Sequence, residues 1–399
     1  MPVSPRVITL QEYVPVRLPA TDFGEESAKI LAANYADQIA ITPPSFQNDH
    51  QWELTNQGGA GHIPLTETLH FKLEPKVEIG NLFRMLEVAY QLDSFKWLKG
   101  ITHTDALDDL YERLANILAQ RILARGRKGF YRAYVSEAEK LPYLRGQLDI
   151  NRRMRRPWAV DLPCRFQEHT ADVAENQILT WTLHRIARSG VCTERVLPTV
   201  RRAYRTLQNV TTLTPIDARA CVNRLYNRLN DDYQPLHGLC RFFLEQQGAS
   251  HKIGERVMLP FVVNMPRLFE LFVANWLQAH LPEGYRLRQQ ESVTIDETNG
   301  LRFAIDLVIY RRDTGEAAFV LDTKYKTPDH PSSADVHQAI AYAHTKAAPQ
   351  AVLVYPRALP SPMNTDTRGI RLRSAVFSLD GDLEAAGQQF LTQLFQFSG

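Results

Sequence analysis

The 399-residue chain is poor in cysteine, and its four cysteines are scattered. Cys164, Cys192, Cys221 and Cys240 form no C-x-x-C pair, which argues against a zinc ribbon or iron–sulfur cluster and fits reduced thiols. Long apolar runs are missing as well. None approaches eighteen residues, so no membrane span is expected. The opening "MPVSPRVITLQEY" lacks a basic region followed by an apolar stretch, so no signal peptide is expected and the expected compartment is the cytoplasm. Formal net charge is only +2, so any nucleic-acid contact must come from local patches. His169, His184, His237 and His251 are too dispersed to suggest a metal cluster. No G-x-x-x-x-G-K-[ST] stretch occurs, so the chain is not expected to hydrolyse nucleotide by itself.

What remains is ordinary globular material, 44% apolar and 23% charged, long enough for two or three domains. "RVITLQEYVPV" reads as a strand, and "ITPPSFQNDH" and "TNQGGAGHIPL" read as loops. In "IGNLFRMLEVAYQL", Leu82, Met85, Leu86 and Ala89 fall at helical spacing. A second helix is expected in "DALDDLYERLANILAQRILARG", with Gly126 as its terminator. Residues 126–165 are basic, and Arg145, Arg152, Arg153, Arg155 and Arg156 suit phosphates, a partner surface or plain solvent. From about 170 to 247 the pattern reads as helical throughout. Tyr226, Tyr233, Phe242 and Phe243 there read as helix packing rather than base stacking. A long helix follows in "VVNMPRLFELFVANWLQAHL", with Asn264 as cap and Pro266 in the first turn. The strands "RFAIDLVIYRR", "AAFVLDTKYK" and "QAVLVYP" come after it. The expected class is α+β.

The chemistry is concentrated in "FVLDTKYK", an apolar strand that ends in an acid and a base. Asp313, Thr314 and Gly315 supply a hairpin turn before it. If the turn centres on Thr314, Asp306 falls opposite Asp322, and side-chain alternation puts Lys324 on the face of Asp322. Two opposed carboxylates repel, and one ammonium compensates only in part. A divalent cation would resolve the remainder: magnesium takes carboxylate oxygens and a substrate phosphate, and assists phosphodiester hydrolysis. Lys324 would then orient the attacking water or neutralise charge on the phosphate. The plainer alternative for such a pair is a solvated strand end. Glu270, which interrupts the apolar helix "PRLFELFV", is a candidate third carboxylate or simply an exposed glutamate. Gln338 and Tyr342 share one helical face just after the hairpin, where they would contact DNA near the metal or serve a routine amphipathic helix.

These residues together resemble the PD-(D/E)xK nuclease superfamily. Its first motif is reduced here to "AID", its second is "DTK", and "QAIAY" looks like the Q-x-x-x-Y helix of the RecB-like branch. "ITLQEY", "IGNLFRMLEVAY", "YLRGQLDINRRM", "AENQILTWTL", "LPFVVNMPRLFELFV" and "FVLDTKYK" stand in the order of the McrC family, the nuclease subunit of McrBC-type restriction systems. The resemblance runs from about residue 8 to about residue 356. It implies an endonuclease that works with a separate McrB-like AAA+ GTPase ring, and that ring binds GTP and recognises modified bases in double-stranded DNA. It implies a mixed α/β partner-binding region over 1–165, a helical region over 166–255 and a PD-(D/E)xK nuclease domain over 256–399. It also implies Mg2+, or Mn2+ in its place, at Asp306, Asp322 and Glu270, with Lys324 catalytic. Two other readings stay open: a stand-alone RecB-like DNA nuclease and a non-catalytic regulator of an AAA+ ring.

Overall fold

The structure is a computed structural model, and it describes residues 6–66, 68–92, 107–189, 192–246, 251–253, 256–258, 261–296, 301–326, 328–367 and 369–396. The chain packs into two compact units, one from residues 1–109 with 248–399 and the other from 110–247. Packing therefore divides the chain differently from the three consecutive stretches read from the sequence.

The first unit begins with β1 (Arg6–Gln11), β2 (Pro15–Leu18), α1 (Glu25–Tyr35), β3 (Ile39–Thr42), β4 (Trp52–Asn56), β5 (Gly59–Pro64), β6 (Leu69–Glu74) and α2 (Ile79–Ala89). The expected single strand "RVITLQEYVPV" is two strands, broken at Tyr13, whose φ of 58° lies in the left-handed region. The expected loop "TNQGGAGHIPL" is instead the end of β4 and the whole of β5, largely buried. Its glycines permit close approach. A Cβ on Gly59 would lie 2.8 Å from Leu73 Cδ1 and 3.1 Å from Val262 Cγ1. The α2 stripe of Leu82, Met85, Leu86 and Ala89 is buried, as its spacing predicts.

The second unit holds α3 (Leu107–Lys128) from Leu110 onward, β7 (Ala133–Leu141), β8 (Gln147–Leu148), α4 (Ile150–Arg155), β9 (Leu162–Thr170), α5 (Ala174–Arg188), α6 (Leu197–Gln208) and α7 (Tyr233–Glu245). α3 runs past Gly126 and stops at Gly129, whose φ of +93° suits a helix terminus. The basic segment folds as a three-stranded antiparallel sheet, β7-β9-β8, carrying α4 at its edge. The region read as helical throughout is interrupted: between α6 and α7 only a short 3-10 turn forms, at Ala218–Cys221. Tyr233, Phe242 and Phe243 are buried between helices.

The first unit resumes with β10 (His251–Ile253), β11 (Arg256–Met258), β12 (Phe261–Asn264), α8 (Met265–His280), β13 (Tyr285–Asp296), β14 (Leu301–Arg311), β15 (Ala317–Thr323), α9 (Ser333–Lys346), β16 (Gln350–Tyr355), β17 (Asn364–Thr367), β18 (Ile370–Val376) and α10 (Leu383–Phe395). β12 pairs with β5, so the sheet β1-β6-β5-β12 joins the two ends of the chain. A six-stranded mixed sheet, β13-β14-β15-β16-β18-β17, forms the other core. β15 is central and buried along its length, which is why its sequence is a continuous apolar run. α9 covers the face carrying Val308, Val320, Ala351 and Leu353. The opposite face packs Phe319 against Phe395, and Phe377 meets Phe390 of α10 and Trp276 of α8. α8 begins as expected: Asn264 accepts from Arg267 N at 2.9 Å, and Pro266 sits in the first turn. Asn275 ties α8 to α2 by donating to Ala89 O at 2.7 Å. Among the described residues, no helix is long and apolar enough to cross a membrane.

Candidate active site

The hairpin carries the candidate chemistry to one end of β15. Leu307 pairs with Leu321, Val308 with Val320 and Ile309 with Phe319, the register expected from a turn at Thr314. The turn itself is fixed by Gly315 at φ +75° and by an Asp313 carboxylate that accepts from Thr314 N at 2.8 Å. A bulge near Tyr310 absorbs the irregularity. The described β14–β15 pairing ends at Leu307 and Leu321, and the Asp306 carboxylate takes over. Its Oδ2 accepts from Thr323 N at 3.1 Å and from Thr323 Oγ1 at 3.2 Å. On the other side, β15 continues along β16, with Lys324 N donating to Val354 O at 2.8 Å.

Asp322 is 1% exposed. Lys324 Nζ lies 2.7 Å from its Oδ2 and pairs with it. Burial pushes the Asp322 carboxyl above the usual carboxylate range, against the pull of Lys324. Burial also raises Asp306, and repulsion from Asp322 adds to it. For Lys324 burial opposes the charge, but Asp322, Asp335 and Asp306 outweigh it and hold the ammonium above the ordinary lysine value. The ammonium therefore stays charged at neutral pH. The same Nζ donates to Gln338 Oε1 at 3.2 Å and stands 3.6 Å from Asp335 Oδ1. Gln338 Nε2 in turn donates to Tyr342 Oη at 2.7 Å.

Glu270 is placed differently. Its carboxylate is bonded by Arg267 Nη1 at 2.6 Å and by Gln290 Nε2. Burial raises its carboxyl; Arg267 opposes the rise and repulsion from Asp306 adds to it, so Glu270 and Asp306 sense each other. Gln290 has a left-handed backbone, φ 48°, inside β13, where Gln289 pairs with Leu307 and Glu291 with Ile305. A non-glycine residue in this region stores roughly 1 kcal/mol or more and is over-represented at functional sites. Among the described residues, no three His, Cys, Asp or Glu side chains already stand as a closed metal cluster.

The family described as McrBC 5-methylcytosine restriction system component matches residues 30–356. The chain belongs to the McrBC family. Its fold is similar to a chain of the refined half-complex from a tetradecameric assembly of Thermococcus gammatolerans McrB AAA+ hexamers with bound McrC. That likeness has a TM-score of 0.53 at 17% identity and covers 98% of this chain and 100% of that one. The cryo-EM structure of the Thermococcus gammatolerans McrBC complex is a second similar structure, with a TM-score of 0.41 at 18% identity, covering 68% of this chain and 87% of that one. No curated protein matches the chain.

In this McrBC-family chain, Asp306, Asp322, Lys324, Gln338 and Tyr342 converge as one network, and Glu270 lies beside it with its carboxylate engaged elsewhere. Sequence reasoning passed over several neighbours. Asp335 binds Lys326 Nζ at 2.6 Å and caps α9 with Ser332, and the S-x-x-D spacing of Ser332 and Asp335 is a readable capping signal. Glu12 and Tyr13 of "ITLQEY" clasp the residue after Lys324. Tyr13 Oη donates to Tyr325 O at 2.7 Å, and Tyr325 Oη donates to Glu12 at 3.2 Å. Only the fold brings residues some 310 positions apart into contact, so the stretches "ITLQEY" and "FVLDTKYK" gave no sign that they meet.

Proposed function

We propose that the chain is the nuclease subunit of a McrBC-type, modification-dependent restriction complex and cuts DNA by metal-dependent phosphodiester hydrolysis. The observation that carries this reading is the meeting of Asp306, Asp322 and Lys324 at one strand end, where burial raises both carboxyls. Two neighbouring carboxylates of this kind suit a hard divalent cation, Mg2+ or Mn2+. Held by Asp306 and Asp322, that cation supplies Lewis-acid charge at a scissile phosphate.

The chain's own residues do the rest. Thr323 fixes the direction of the Asp306 carboxylate through two bonds. Lys324 holds a proton at Nζ and presents a positive charge where the phosphate gains negative charge in the transition state. Gln338, braced by Tyr342, sets the direction of that ammonium and brings α9 toward DNA. Glu270 is an accessory ligand that becomes available when Arg267 and Gln290 release it.

The partner in this reading is a McrB-like AAA+ GTPase ring that binds GTP, selects modified DNA and is stimulated by this chain. The solved assembly of McrB AAA+ hexamers with bound McrC supports it, as does the lack of a phosphate-binding loop in this sequence. So does the second unit's surface. Tyr143, Leu144, Ile150, Met154, Trp158 and Val160 are all exposed, interleaved with the arginines of α4. An apolar and basic surface of this kind marks a protein-docking face.

Reconstitution tests the reading: chain, GTPase partner, GTP, Mg2+ and DNA carrying methylated cytosine. Cleavage is expected only when all five are present. Cutting by the chain with Mg2+ alone would assign a stand-alone nuclease. An inert chain that binds no divalent cation yet stimulates the GTPase would assign a regulator.

A further inference from the structure

We infer that Asp335 is a positioning residue that receives the Lys324 ammonium when Asp322 takes up a cation. The inference rests on the metal reading of Asp306 and Asp322 above. Lys324 Nζ has three acceptors in reach: Asp322 Oδ2 at 2.7 Å, Gln338 Oε1 at 3.2 Å and Asp335 Oδ1 at 3.6 Å. It stands nearest Asp322, a carboxylate that a cation would need. A divalent ion on the same carboxylate repels an ammonium held this close, and a shift of the ammonium relieves that repulsion. Its side chain is 17% exposed, too enclosed to escape into water. A shift toward Asp335 keeps it paired and keeps its bond to Gln338 within reach.

Asp335 is built for this exchange. It is 6% exposed and fixed in the first turn of α9. Its Oδ2 is occupied, bonded by Ser332 Oγ at 2.6 Å and by Lys326 Nζ at 2.6 Å. Its Oδ1 faces Lys324. Helix capping accounts for the first oxygen and leaves the second unexplained. Two oxygens thus serve two ammoniums, and the one turned to the active site is held at a distance that a small side-chain shift closes.

The test is a Mn2+ titration, followed by calorimetry, of the full chain and four variants: Asp335→Asn, Lys324→Gln, the double variant and Asp335→Glu. In the presence of Lys324, Asp335→Asn is expected to weaken Mn2+ binding by about tenfold, and in the Lys324→Gln background by less than about twofold. Asp335→Glu, which keeps the charge and suits a helix first turn, is expected to restore most of the affinity. Equal weakening in both backgrounds overturns the inference, because a general field or a loosened α9 would not depend on Lys324. If Asp335→Asn fails to fold, Lys326→Gln replaces it. Lys326 is 40% exposed, and its removal frees the Asp335 carboxylate for Lys324. That variant should bind Mn2+ more tightly, only while Lys324 is present; unchanged binding would contradict the inference. Mn2+ binding that ignores Asp306→Asn refutes the metal reading itself and removes the inference with it. That result is distinct from normal binding without coupling between Lys324 and Asp335.

Discussion

Asp322 and Lys324 form a buried ion pair, and such pairs rarely stabilise a fold, since desolvating two charges offsets most of their attraction. Their presence at the end of an apolar strand is better explained by chemistry than by stability. A second buried acid nearby behaves differently. Glu12 is 1% exposed, and burial raises its carboxyl to about 7 despite bonds from Lys76 N and Tyr325 Oη. A folded-state value above the ordinary 4.5 means that the protein binds this proton more tightly when folded. The stability it contributes is full below about 4.5 and is lost as pH rises through about 7. Chemical denaturation of the native chain should therefore show about 2 kcal/mol less stability at pH 8 than at pH 5 from this group, at ~1.4 kcal/mol per pKa unit. Glu12→Gln should remove that component. A native-minus-variant difference that stays flat across this range would mean that Glu12 is ionised throughout.

The secondary-structure elements were legible to different degrees, for physical reasons. The β14–β15 register could be read because a two-fold side-chain alternation and a glycine turn leave one answer. α2 and α8 could be read because an apolar stripe and an Asn–x–Pro start are local signals. β5 could not, because "GGAGH" has turn chemistry, and its strand character comes from neighbours that need its missing side chains. The basic segment 126–165 was read for charge, while its sheet depends on pairing with β9, which runs past the segment to Thr170. Gly387 in α10 shows the same principle. A Cβ there would fall 2.2 Å from Trp276 Cζ2, against a rigid ring of α8. Gly387→Ala should gain helix propensity yet lose about 1–3 kcal/mol to overpacking, measured by urea midpoint. A stabilised variant would show that α8 and α10 stand further apart. Of the candidate site, the three charges were legible in one hairpin; the approach of Asp335 to Lys324 and of Glu12 to Tyr325 was not, because only tertiary packing brings them together.

At the scale of the whole molecule, the first unit joins the chain's two ends, so residues named for a docking role and residues named for chemistry share one compact unit. The exposed apolar cluster of Tyr143, Leu144, Ile150, Met154, Trp158 and Val160 belongs to the other unit, on α4 and the connections around it. Trp158 and Met154 are 79% and 74% exposed, so replacing both with alanine should leave folding intact. The double variant should bind the GTPase partner at least about tenfold more weakly, the loss typical of removing an apolar anchor. Its Mn2+ affinity should not change. Pull-down strength equal to the native chain would move the docking face elsewhere. The account as a whole depends on Lys324 acting in DNA hydrolysis. The most direct measurement is cleavage of methylated DNA by a folded Lys324→Ala chain, together with its GTPase partner, GTP and Mg2+. The expected result is a fall in cleavage rate of about a hundredfold or more with GTPase stimulation retained. Cleavage at the native rate would contradict the account.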